Sequence, residues 1–216
     1  MRFLISIAFV VFASSAQATT VLSVSGDDID GEIMSTAGIA PNEGVGVSFD
    51  VTSDLINAAF ALEFECFTDA GCSGLVQWSN TGLGPDSLNQ DAALFSTAFG
   101  KSIITAFSGI DLAAATWAVL VTLEDSIAQT AAWTGSRVDP TITGDGRASV
   151  GATQIINDFD PNNPIRSTFT TTSNSVDFTL TADEATAVVP LPMTAIPMIT
   201  GLMALGFFGR RRKRHA

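Results

Sequence analysis

The chain has 216 residues, room for one domain of ordinary size plus appendages, and carries 22 acidic against 10 basic residues. The basic residues are polarised: Arg2 lies at one end, a cluster from Arg210 to Arg214 at the other, and only Lys101, Arg137, Arg147 and Arg166 lie between. Residues 19–187 hold all 22 acids and carry a net charge of 4 − 22 = −18. That excludes nucleic acid as a partner, because phosphates are bound by Lys and Arg that displace counterions.

The first element is residues 1–18. Arg2 precedes an apolar run from Phe3 to Phe12, and Ala16-Gln17-Ala18 has the small-x-small pattern cut by signal peptidases. The run is about half of the roughly 20 residues that a spanning helix needs. The expectation is a signal peptide cut after Ala18, an exported chain and a mature start near Thr19.

Residues 19–187 read as one β domain. "TTVLSV" and "VGVSFDVT" alternate, the second with Val45, Val47, Phe49 and Val51 on one face. In "FALEFECF", Phe60, Leu62, Phe64 and Cys66 share a face opposite Ala61, Glu63 and Glu65. "TWAVLVTLE" aligns Trp117, Val119, Val121 and Leu123, and the Thr-rich end aligns Val176, Phe178 and Leu180. Period two with β-branched and aromatic residues marks half-buried strands. Breaks rich in Gly, Asn, Asp and Pro separate them. The pattern predicts an all-β fold, an antiparallel jelly-roll-like β-sandwich. Two Ala-rich stretches are ambiguous: a short helix is expected near residues 91–99, and "DSIAQTAAW" reads as helix or strand. The last strand is expected to end near Thr181.

Cys66 and Cys72 flank Asp69-Ala70-Gly71. Export permits a disulfide, and this one would pin a loop at a hairpin tip; the alternative is two free thiols. Two acidic loops raise the question of calcium. In "DFDPNNP", Asp158, Asp160 and Asn162 occupy the first three ligand positions of a D-x-D-x-[DN] loop, but Phe169 stands where the bidentate Glu belongs. A partial calcium site and a pair of Asx-Pro turns both fit. Asp28 and Asp30, before Gly31, could hold calcium, but a tight turn explains the same letters. No other cofactor is expected.

The last element is residues 188–216. Val189-Pro190-Leu191-Pro192 is forced to be extended, because each proline fixes its own φ and biases its predecessor away from helix. Residues 193–208 are apolar, about 24 Å as a helix, and end at Arg210, Arg211, Arg212, Lys213 and Arg214. By the positive-inside rule that cluster stays in the cytoplasm while the body is outside. The order of motif, helix (193–209) and basic cluster (210–214) resembles the VPLPA-CTERM sorting signal, a relative of PEP-CTERM. Met193 stands where that family has Ala.

The resemblance implies a Gram-negative cell, a transient inner-membrane intermediate, and an exosortase-like enzyme as partner acting near the motif. The product would reside at the cell surface or in an extracellular matrix, with exopolysaccharide as a further partner. The body also resembles the small β-sandwiches common in such proteins. Two rivals share these letters. Leu191-Pro192-Met193-Thr194-Ala195 is similar to a sortase signal, but no long wall-spanning linker precedes it. An unprocessed single-span anchor is the other.

Catalysis finds few residues. The single His, His215, is in the tail, so the body has no imidazole for a triad or for zinc. Glu63 and Glu65 stand two apart on a strand, about 7 Å, a spacing a glycosidase pair could have, but two acids alternating with Leu62, Phe64 and Cys66 are far more often a solvated strand face. Trp78, Trp117 and Trp133 offer a sugar-stacking platform if exposed; Trp117 is the most core-like of the three. The expectation is a non-enzymatic surface protein, with a carbohydrate-binding module, calcium-dependent or not, as the alternative.

Overall fold

Alternating apolar residues force strands here, and the strands must bury one face each. In the computed structural model they do so as two antiparallel sheets. The structure describes residues 17–26, 32–36, 43–83, 91–124, 129–136, 140–157 and 168–184. The chain divides into two units, Met1–Glu184 and Ala185–Ala216, and every described residue belongs to the first.

The first sheet contains β1 (Ala18–Ser25), β2 (Glu32–Thr36), β4 (Leu55–Cys66), β7 (Gly100–Leu112), β9 (Gln129–Trp133), β11 (Thr141–Gly144) and β15 (Phe178–Asp183). Its order is β11-β1-β15-β4-β9-β2, with β7 on the other edge of β4. The second contains β3 (Gly44–Val51), β5 (Cys72–Ser79), β6 (Asp91–Thr97), β8 (Thr116–Leu123), β12 (Ala148–Asn157) and β13 (Thr168–Thr172), in the order β13-β12-β3-β8-β5-β6. A small ladder pairs β10 (Gly135–Ser136) with β14 (Ser175–Val176).

Aromatic rings join the sheets. Phe60 of the first sheet stacks on Phe49 of the second at 5.6 Å and on Phe178 of its own sheet at 4.9 Å. Phe107 and the edge of Trp133 complete its surroundings at 5.8 and 6.4 Å. Phe64 meets Phe95, and Trp78 meets Phe107, across the same interior. These are the residues that the alternation placed inward: Val45, Val47, Phe49, Phe60, Leu62, Phe64, Val119, Val121 and Leu180 are all buried. Each such side chain contributes about 1.5–3 kcal/mol by leaving water.

The ends of the body are tied together. Ala18 pairs with Asp183, so the first and last strands run side by side. Arg147 clamps them: Nη2 donates to Thr19 Oγ1 at 2.8 Å, Nη1 to the Asp183 carbonyl at 3.0 Å, and Nε to Asp145 Oδ2 at 2.7 Å.

Several expectations need correction. Residues 91–97 are strand β6, not helix, and residues 98 and 99 lie outside any helix. Asp91–Thr97 pairs with residues 72–78 of β5, and Phe95 packs inward, so sheet pairing overrides the weak helical preference of alanine. In "DSIAQTAAW", the described part is strand β9. The last strand continues to Asp183, held by β1. "TTVLSV" does not alternate cleanly: a bulge between Thr20 and Leu22 buries both Val21 and Leu22.

Candidate functional site

The cysteines form the disulfide Cys66–Cys72, with Cα atoms 5.8 Å apart. It does not close a hairpin tip. Cys66 ends β4 in the first sheet and Cys72 begins β5 in the second, so the bond staples the two sheets at one end. Gly71, at φ +87°, makes the turn possible: a Cβ there would come 2.5 Å from the Thr97 carbonyl oxygen.

The tryptophans do not make a platform. Trp133 is 0 % exposed, with its indole N–H donating to the Asp177 carbonyl at 2.8 Å. Trp78 is half-buried on the core. Trp117, expected in the core, is also half-buried and donates to the Ala113 carbonyl at 2.9 Å. The indoles are used for packing and for satisfying backbone carbonyls.

Ala18 is the first residue of β1. Ala16, Val189, Pro190, Leu191, Pro192 and Arg210–Arg214 lie outside the described residues, as do Asp28, Asp30, Asp158, Asp160 and Asn162. Among the described residues no three His, Cys, Asp or Glu side chains come together as a metal site.

Glu63 and Glu65 lie half-exposed on the outer face of the first sheet. They are not equivalent. Lys101 Nζ donates to Glu63 Oε1 at 2.9 Å, with about half of each side chain exposed. That hydrogen bond, and the charges of Glu63, Glu65 and Asp177, hold the Lys101 ammonium above its ordinary range.

At Glu63 the central strand β4 changes partner. Below it, residues 59–62 pair with β15; above it, Phe64 to Cys66 pair with β9. The junction is closed by backbone bonds: Asp177 N–H donates to the Thr134 carbonyl at 2.7 Å, and Thr134 N–H to the Glu63 carbonyl at 3.1 Å. Glu63 N–H donates to the Asp177 carbonyl at 3.4 Å. A shallow groove of about 230 Å³ opens over this junction. Ser23, Ser25, Glu63, Asp177 and Thr179 supply its polar lining, and Ile103, 77 % exposed, forms an apolar wall. Ser23 and Thr179 hydroxyls are 3.4 Å apart across the β1–β15 pair.

Sequence reasoning singled out Glu63 but not the residues around it. Ser23, Ile103 and Asp177 come from strands scattered along the chain, and only the pairing of β1, β15, β4 and β7 assembles them. Compared with family models, curated proteins and solved structures, the chain matches none.

Proposed function

We propose that this is an exported, non-enzymatic surface or matrix protein of a Gram-negative cell, sorted through its C-terminal tail. The tail parks the chain in the inner membrane, and an exosortase-like enzyme cuts near Val189–Pro192. The carrying observation is the order of the tail: a rigid Val-Pro-Leu-Pro stretch, an apolar segment of near-spanning length, then five consecutive basic residues, on a chain that opens with an A-x-A signal.

Three features support this reading. A disulfide suits an oxidising compartment. The compact β unit ends at Glu184, five residues before Val189, so the motif follows the body after a short tether. Arg147 ties the strand that leads to the tail to the strand that begins at the signal-peptide boundary. For the body we propose jelly-roll winding: the chain changes sheet between β3 and β4, β4 and β5, β6 and β7, and β7 and β8.

The double variant Pro190→Ala, Pro192→Ala tests the motif. The full-length chain should accumulate in the inner-membrane fraction while the unaltered protein leaves it. Equal release of both forms would rule out recognition of the motif.

A further inference from the structure

We propose that the groove over the β4 partner switch binds a single uncharged sugar ring. This goes beyond the sorting of the chain and does not depend on it. It also places the binding surface away from the tryptophans.

The polar lining is mixed, and the mixture is informative. Glu63 and Asp177 offer acceptor oxygens, while Ser23, Ser25 and Thr179 have hydroxyls that both donate and accept. Lys101, which is not part of the lining, donates to Glu63 Oε1 at 2.9 Å. Ala61 and Ile103 present aliphatic surface between these groups. A pyranose has the complementary surface: hydroxyls that donate and accept around its edge, and C–H groups across one face.

Charge narrows the class. An anion would meet two carboxylates on a body of net charge −18. A cation would find the position beside Glu63 taken by Lys101, an ammonium whose positive charge those same acids reinforce. Size narrows it further. A volume of about 230 Å³ falls below the ~300–1,000 Å³ typical of drug-sized ligands. One ring fits that space, with any further units running out over the open sheet.

The site is also held in place. Glu63 and Asp177 are joined through the backbone bonds of the junction, and Trp133 anchors the Asp177 carbonyl from inside. Binding therefore needs little ordering of the backbone, which limits its entropic cost.

The test is titration of the full-length chain in detergent micelles, followed by saturation-transfer NMR. The probes are the methyl pyranosides of glucose, galactose, mannose and N-acetylglucosamine, with glucuronate and putrescine as anionic and cationic controls. At least one neutral pyranoside should bind, and both controls should not. Ser25→Ala and Asp177→Asn should each weaken that binding tenfold or more, while Ser73→Ala, on a strand of the other sheet, should leave it unchanged. Should Asp177→Asn fail to fold, Ser25→Ala and Ile103→Asp, both at exposed positions, carry the test. Binding by none of the pyranosides, binding untouched by the groove variants, or a preference for putrescine or glucuronate would each overturn the proposal.

Discussion

Two strands, β4 of the first sheet and β8 of the second, treat their outer faces differently. On β4 burial alternates from Ala58 to Cys66: Phe60, Leu62 and Phe64 are buried, and Ala61, Glu63 and Glu65 between them are half-exposed. On β8 the alternation is lost, since every residue from Ala118 to Leu123 is buried. Val119, Val121 and Leu123 belong to the shared core, but Ala118, Leu120 and Thr122 point the other way and are covered too. Glycines make this possible. Gly44 and Gly46 pair with Thr122 and Leu120, and the Leu83 side chain lies where a Cβ on Gly46 would be. The contrast shows where binding can reside: β8 uses both faces for packing, whereas the first sheet leaves polar side chains in water over β1, β15, β4 and β7.

The contrast can be broken experimentally. If the outer face of β8 is true core, Leu120→Ala should cost about 2–5 kcal/mol in urea unfolding of the β body. A loss below about 1 kcal/mol would return that face to the surface and erase the difference. Next in size is the staple between the sheets. Replacing both Cys66 and Cys72 by Ala should cost about 2 kcal/mol, the loop-closure value for so short a span, read from the same unfolding curves. Ile103→Ser, on the open face, should change stability by no more than about 0.5 kcal/mol. A large loss there would mean that the face is covered.

The smallest effect is a pH dependence. Lys101 is held above 10.5, first by its hydrogen bond to Glu63 and then by the surrounding acids. Its stabilising contribution is therefore complete below its ordinary pKa and is lost as pH rises through the raised one. With both side chains about half exposed, solvent screens the pair and the contribution stays within about 0.5 kcal/mol. Thermal midpoints of the unaltered body and of Lys101→Gln should converge once the pH passes the raised Lys101 pKa.

Much of this fold is legible in the sequence, for a physical reason. Strands with one wet face print their period into the chain, and β3, β4 and the inward residues of β8 and β15 follow that period. The reading fails where neighbours decide. β6 looks helical because alanine is, yet β5 supplies its hydrogen bonds. Trp133 sits beside polar residues in the chain, but its partners in space are Phe60 and the Asp177 carbonyl. The disulfide was legible, whereas its role in joining two sheets was not, since nothing local says that β4 and β5 part company. The groove was the least legible feature. Its residues are ordinary Ser, Thr and Asp in sequence, and acquire meaning only where β4 changes partner.

The tail carries the central claim, and the mass of the chain at its final location tests it most directly. Intact-mass analysis of the protein recovered from the cell surface or the medium should give a species that starts at Thr19 and ends within or shortly before residues 189–192. A mature chain that still ends in Arg-Arg-Arg-Lys-Arg-His-Ala would contradict the account.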